Sequence, residues 1–312
     1  MEIDVIIPLY KPGKELFTLL DKLGSQSVPV HQVILLNTEE KYFEQLIYGI
    51  RFLDTYQNLK VYHVSKREFD HGGTRRMGVK KSSADVFVMM TQDAMPKDDR
   101  LIEKLVEPLQ GEVAVAYARQ LPREDSTPVE SYTREFNYPA KSRIKSAADL
   151  DSLGIKTFFC SNVCAAYRRE IYEELGGFVR HTIFNEDMIY AAKAVEAGYS
   201  VAYAADAQVV HSHNYTNGQQ FHRNFDLGVS QAEHPEIFAA YPSESEGKRM
   251  VKDVTVYLRS NHMSAGLPHF YMQCACKYAG YLLGKNYRRL PKKWVLAFTS
   301  NKEYWKQNRK DV

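Results

Sequence analysis

The chain has 312 residues, 44% hydrophobic and 25% charged, enough for one large domain or a domain with an appendage. A formal net charge of +3 does not by itself suggest nucleic acid, and no nucleic-acid partner is expected. No apolar run approaches the roughly 18 residues of a membrane-spanning helix, and Cys160, Cys164, Cys274 and Cys276 lack the double pairing of a zinc site, so reduced thiols are expected. Aromatic residues reach 12%, with 21 Tyr, which suits sugar rings or a membrane interface as well as a Tyr-rich core. Met1 leads straight toward a strand without a leader-type pattern, and the expectation is a cytoplasmic protein.

Ile3 to Pro8 reads as a buried parallel-type strand closed by the loop Tyr10 to Gly13. Lys14 to Leu23 places Leu16, Leu19, Leu20 and Leu23 on one helical face, and Gly24 to Pro29 breaks it. His31 to Leu36 is a second strand, Asn37 to Glu40 starts a helix, and Leu59 to Val64 is a third strand. This βαβαβ opening predicts a parallel sheet with right-handed crossovers. No GxGxxG follows the first strand, which argues against a dinucleotide-binding domain.

Gly72 and Gly73 followed by Thr74 read as a tight turn with Thr74 as a helix N-cap. Backbone N–H groups at such a start, with Arg75 and Arg76, suit a phosphate; the rival is a capped surface helix with solvated arginines. Val86 to Met90 then runs into Thr91, Gln92, Asp93 and Pro96, a buried strand with one carboxylate at its C-terminal tip, where ligands of open α/β sheets sit. Taken alone, Asp93 could equally cap the next turn. Val113 to Ala118 is another strand, and Gln120 to Leu153, with Pro122, Pro128 and Pro139, reads as irregular and acceptor-shaping. Thr157 to Arg169 is a strand pair or a strand turning into a helix, which runs from Ile171 to Leu175 and stops at Gly176 and Gly177.

Phe184 to Tyr190 opens a helix that reaches about Ala197 and ends at Gly198. Glu186 and Asp187 lie in its first turn, where they complement the helix dipole or supply a general base. Val201 to Ala204 and Ala207 to Val210 finish the sheet and deliver His211 and His213, which on an extended segment would face opposite ways, so that one at most reaches a given site. Phe221 to Phe225 and Pro235 to Ala240 read as helical, Ser243 to Gly247 as a polar break, and His269 to Leu283 as an aromatic-rich helix. Beyond it, Tyr287, Trp294 and Phe298 interleave with Arg288, Arg289, Lys292 and Lys293, a pattern that suits an anionic membrane surface. The rival readings are a solvated basic tail packed on the domain and, behind it for want of a nucleic-acid-binding fold, a nucleic-acid patch.

In this order the pieces resemble family 2 glycosyltransferases of the GT-A fold. Ile6 to Tyr10 resembles the family's opening strand, Cys160 to Phe178 its acceptor-side segment ending in Gly-Gly-Phe, and Asn185 to Asp187 its Glu-Asp motif. The match is tighter with bacterial rhamnosyltransferases, which combine Phe-Asp-His-Gly-Gly-Thr-Arg (here 69–75), Thr-Gln-Asp-Ala-x-Pro (91–96) and His-Ser-His (211–213). The resemblance covers about the first two-thirds of the chain. The family's common Asp-x-Asp is Thr91-Gln92-Asp93 here, as in the subgroup; Arg76 replaces the subgroup's usual Asn, and Asn37 stands where the family often has Asp.

The resemblance implies a Rossmann-like, mostly parallel sheet flanked by helices over residues 1–215, with a nucleotide-sugar half of about 1–118 and an acceptor half of about 119–215. Residues 216–312 would form a helical aromatic and basic extension. It implies a nucleotide-sugar donor, dTDP-rhamnose by subgroup, near Pro8, Tyr10, Asn37, Gly72, Gly73, Arg75, Arg76, Gln92 and Asp93. Mg²⁺ or Mn²⁺ would sit on Asp93 and His211, with His213 the lesser choice. Asp187, or alternatively Glu186, would be the general base of an inverting transfer, and Cys160, Ser161 and Asn162 would line the acceptor side. The acceptor is expected to be a glycan, lipid-linked, with the protein peripheral on the inner face of the cytoplasmic membrane. Alternatives are a family 2 transferase using a UDP-hexose and a non-catalytic glycan-binding module.

Overall fold

The computed structural model describes residues 1–242 and 244–306. The first half builds the expected crossovers: β1 (Ile3–Tyr10), α1 (Glu15–Gly24), β2 (Gln32–Thr38), α2 (Glu40–Ile47), α3 (Phe52–Thr55), β3 (Leu59–Val64), α4 (His71–Lys81) and β4 (Val86–Met90). β5 (Met95–Pro96), α5 (Leu101–Val106), β6 (Val113–Leu121), α6 (Pro128–Asn137), β7 (Arg143–Lys145) and α7 (Leu150–Leu153) follow, then β8 (Cys164–Arg168), α8 (Arg169–Glu174), α9 (Glu186–Glu196) and β9 (Ser200–Val210). The C-terminal part holds α10 (Asn217–Glu233), α11 (Pro235–Phe238), α12 (Glu244–Ser260), α13 (Leu267–Lys285) and α14 (Lys292–Phe298).

Among the described residues the strands form one sheet in the order β3-β2-β1-β4-β8-β6-β9-β5, with β7 added on β9. Parallel pairing joins β3, β2, β1 and β4. β8 then runs antiparallel to both β4 and β6, so the acceptor half is mixed rather than parallel. The connection from β6 to β8 passes through α6, β7 and α7, and residues 159–163 then lead the chain into β8 against the direction of both neighbours. The two segments expected at 201–204 and 207–210 are one strand whose register against β6 slips between Ala118 and Arg119.

Three further expectations change. The N-cap of α4 is Asp70, not Thr74: its side chain accepts from the Gly73 N–H, and the glycines lie inside the first turn. Segment 120–153 contains α6, whose start carries a legible signal, Thr127 capping the Glu130 N–H with Pro128 in the first turn. The polar stretch 243–247 is not a break but the opening of α12 at Glu244; Ser243 itself lies outside the described residues.

β1 and β4 are buried along almost their whole length, with apolar layers on both faces of the sheet. The C-terminal helices pack separately. α10 and α13 meet at three glycines: a Cβ on Gly284 would lie 2.0 Å from the Phe225 carbonyl oxygen, on Gly280 2.3 Å from that of Phe221, and on Gly228 2.3 Å from that of Tyr281. This pair is tied back to the sheet domain by Tyr304, which stacks on His181 at 4.3 Å and donates to Glu233 on α10.

Candidate active site

The C-terminal ends of β4 and β9 and the start of α9 open on one cleft of about 570 Å³. Asp93 follows β4 through the turn Thr91–Gln92, and His211 and His213 follow β9. Because β9 ends at Val210, strand alternation no longer separates the two histidines, and both converge on Asp93. The expectation that only one would arrive is therefore corrected. His213 Nε2 lies 3.1 Å and His211 Nε2 3.6 Å from the Asp93 carboxylate, and the two nitrogens are 3.2 Å apart. Burial raises the Asp93 carboxyl, but the two imidazoles outweigh it and hold it well below the usual range.

The His211 ring is fixed from behind. Its Nδ1 faces Gln120 Oε1 at 3.0 Å, and the same oxygen accepts from Arg134 at 2.5 Å. An oxygen held by Arg134 can only accept, so His211 carries its proton on Nδ1 and presents a bare Nε2 to the cluster. The shared proton between the two Nε2 atoms then belongs to His213. The ligand atoms of Asp93, His211 and His213 lie within 4.8 Å of one another, a donor set that fits a divalent cation.

The other side of the cleft carries two carboxylates in the first turn of α9. Asn185, at φ 63, adopts the left-handed conformation that Asn tolerates and turns the chain so that both side chains enter the site. Glu186 is 4% exposed. It sits 3.2 Å from Arg75 Nε and 4.0 Å from His71 Nδ1, and accepts from Asn162 Nδ2 at 3.0 Å. Burial pushes its carboxyl up, but Arg75, His71 and Asn162 together prevail and keep it low. Asp187, partly exposed to the cleft, is raised to about 7, by burial first and then by the Glu186 charge. Backbone N–H groups of Asn162 and Met188 hold it at 2.8 Å each. Burial also lowers His71 to about 4, so it is neutral.

The acceptor-side trio lines the same cleft. Asn162 aligns both carboxylates and is itself held by the Tyr167 hydroxyl at 2.7 Å. Ser161 Oγ accepts from Gln120, and Cys160 is buried, its thiol pushed up to about 12 by that burial, which leaves it inert. Arg75 is in the cleft, but Arg76 is not: one residue further round α4, its guanidinium donates to the carbonyls of Gly176 and Phe178. Nor do Gly72 and Gly73 line it. They let the 179–182 loop approach, a Cβ on Gly72 meeting the Val179 oxygen at 2.1 Å, and the helix start is closed by Asp70, whose carboxylate also receives the Thr182 N–H at 3.1 Å.

Pro8, Tyr10, Asn37 and Gln92 group beyond the cleft at the ends of β1 and β2. Gln92 Oε1 accepts from the Tyr10 N–H at 2.9 Å, and Tyr10 is 41% exposed. Asn37 donates toward His63 Nδ1 at 3.0 Å, while its buried Oδ1 has no protein partner. Residues missed from sequence are Gln120, Arg134, Tyr138, His71 and Arg223, all of which line the cleft. Arg223 comes from α10, stands over Phe184 at 4.7 Å and Tyr215 at 5.6 Å, and makes no ion pair with any described carboxylate. A polar residue on a distant helix carries no local signal of this kind.

Comparison with known proteins agrees with this geometry. The model of glycosyl transferase family 2 matches residues 4–176. An O-antigen chain rhamnosyltransferase of Salmonella typhimurium, RfbN, is 39% identical over 98% of this chain and 96% of its own length. WbaN of Salmonella anatum, also an O-antigen chain rhamnosyltransferase, is 37% identical over 96% and 95%. Among solved structures, the Pyrobaculum calidifontis mannosyltransferase PcManGT, in complex with GDP-Man and Mn²⁺, has a TM-score of 0.61 at 15% identity over 91% of this chain and 87% of that one. S. aureus TarS 1–349 with UDP-GlcNAc gives 0.52 at 14% over 93% and 92%. These structural likenesses carry the fold, GT-A. Strand-tip acid, paired carboxylates and full-length kinship converge on one conclusion: the chain is a glycosyltransferase and belongs to glycosyl transferase family 2.

Proposed function

We propose that this enzyme transfers L-rhamnose from dTDP-L-rhamnose, with inversion, to a hydroxyl of a lipid-linked precursor of an O-antigen type polysaccharide. The observation that carries the reading is a single cleft with Asp187 held near neutrality on one side and the Asp93–His211–His213 cluster on the other. The two rhamnosyltransferase relatives, matched over nearly their whole length, support the sugar and the acceptor class.

Asp187 takes the proton of the acceptor hydroxyl, since a base works best with a pKa near the working pH. Glu186, tied to Arg75 and Asn162, stays ionised and orients the sugar and Asp187. Direct displacement at the anomeric carbon inverts it, so a β-linked donor yields an α-linked product. Asp93, His211 and His213 would hold the divalent cation, whose charge offsets that developing on the leaving diphosphate; two imidazole nitrogens favour Mn²⁺ over Mg²⁺. Arg223, without a carboxylate partner, is free to meet the same diphosphate from the α10 side. Tyr10, exposed at the end of β1, would meet the base, with Asn37 buried behind it, its Oδ1 without a hydrogen-bond partner among the described residues.

The site for a lipid-linked acceptor fits one further surface. α13 exposes Tyr271, Met272, Tyr278 and Leu282, and beyond it Trp294 stands out among exposed Arg288, Arg289, Lys292 and Lys293. Exposed aromatics beside a basic cluster suit an anionic bilayer.

The test is turnover with a donor panel of dTDP-rhamnose, UDP-glucose, UDP-GlcNAc and GDP-mannose, with Mn²⁺ or with EDTA. Turnover restricted to dTDP-rhamnose, cation-dependent and lost in Asp93→Ala, is expected. Preference for a UDP-hexose would leave the chemistry and remove the rhamnosyl assignment.

A further inference from the structure

We propose that Gln120 is the positioning residue that joins the two halves of the site, presetting His211 as a metal ligand and fixing Ser161 at the acceptor side. The inference rests on the proposed function in taking the Asp93–His211–His213 cluster as the cation site.

Gln120 is the last but one residue of β6, 2% exposed, in the middle of the sheet edge between β8 and β9. All of its polar capacity is directed. Oε1 accepts from Arg134 at 2.5 Å and from His211 Nδ1 at 3.0 Å. Nε2 donates to the Tyr138 hydroxyl at 2.6 Å and to Ser161 Oγ at 3.0 Å. Arg134 removes the ambiguity of the amide, because a guanidinium can only donate. The opposite end of the amide must then be the donor. Gln120 thus settles two orientations at once. On the donor side, His211 keeps its proton on Nδ1 and aims a lone pair at the cluster. On the acceptor side, Ser161 Oγ accepts from the Gln120 amide and lies against the Tyr138 hydroxyl that the same amide also reaches, which fixes the serine at the cleft wall. Ser161 adjoins Asn162, whose N–H and amide hold Asp187 and Glu186. One side chain therefore touches both the histidine of the cation side and the serine of the acceptor side. Partners behind a metal-bound imidazole commonly tune metal affinity 10–100-fold.

The test compares the full-length wild type with Gln120→Leu and Gln120→Glu. Glutamate keeps an acceptor for Arg134 and His211 but draws the Ser161 and Tyr138 hydroxyls toward itself; leucine keeps neither role. Three readouts are taken: the His211 tautomer by ¹⁵N NMR of the metal-free protein, Mn²⁺ affinity by calorimetry, and KM for acceptor. In wild type and Gln120→Glu, His211 is protonated on Nδ1 and Mn²⁺ affinity agrees within about threefold. In Gln120→Leu the tautomer is lost and Mn²⁺ binds at least about tenfold more weakly. Acceptor KM rises in both variants. An unchanged His211 tautomer with unchanged Mn²⁺ affinity in Gln120→Leu overturns the proposal. A wild type that binds no Mn²⁺ overturns the metal reading of the cluster and the proposal with it, and is told apart from the first case by the wild-type titration alone. Thermal melting without metal reports any general loss of fold, which would lower all three readouts in both variants without the split between Glu and Leu.

Discussion

Asp187 and Glu186 are chain neighbours with opposite proton affinities, and the cause is what each touches. Arg75 outweighs the burial of Glu186, while Asp187 is raised by its own burial first and then by the Glu186 charge beside it. Replacing Asp187 with Asn is expected to lower kcat by about 10²–10⁴-fold with donor affinity retained, measured by turnover and calorimetry. The wild-type kcat/KM should rise with pH through about 7 as Asp187 ionises. Stability runs the other way. A carboxyl raised in the folded state binds its proton there while the unfolded chain has already released it, so stability falls between the ordinary Asp pKa and about 7. Asp187→Asn should therefore be more stable than wild type at pH 8, on the order of 1 kcal/mol, by urea unfolding. Glu186→Gln should do the opposite, leaving a buried Arg75 unpaired at a cost of about 3 kcal/mol. At this scale Asp93, Glu186 and Asp187 were legible because a strand tip and a helix start are positions with fixed meaning. Gln120 and Arg223 were not, since their roles arise from partners 91 residues away in the first case and from another helix layer in the second.

Among the elements, the α10–α13 pair is the most sharply specified contact outside the sheet. Gly280 and Gly284 are helical, so their value lies in the absent Cβ and not in any unusual φ. Gly284→Ala must part the two backbones and is expected to destabilise by at least about 1–3 kcal/mol. Gly218→Ala, with open space around its Cβ, should be neutral or slightly stabilising in the same denaturant titration. The parallel strands and α9 could be read from apolar runs and terminators. α6 was obscured because Pro122, Pro128 and Pro139 punctuate its surroundings, although Thr127-Pro128-x-Glu130 is itself a helix start. α12 was hidden by the polar residues of its first turn. Of the three aromatics interleaved with the basic residues of the tail, Tyr287 is buried with its hydroxyl on Glu233 and Phe298 packs on Phe221 and Phe225, so only Trp294 stands outward.

For the whole molecule, the exposed α13 stripe and the cluster near α14 predict binding to vesicles containing phosphatidylglycerol, weakened by salt and by reversing Arg288, Arg289, Lys292 and Lys293 to Glu. Equal partitioning of both proteins would remove membrane docking. No helix among the described residues is long and apolar enough to cross a bilayer; the final residues of the expected docking segment, 307–312, lie outside the described set. The tie between the two ends of the chain has a consequence in time. Tyr304 stacks on His181, and His181 meets Asp70 at 2.9 Å in the loop that leads to Glu186 and Asp187. During synthesis the sheet can form long before Tyr304 leaves the ribosome. A chain cut after residue 298 would keep every strand of the sheet but lose the ring that covers His181, and is expected to melt at lower temperature and turn over more slowly than one that includes Tyr304.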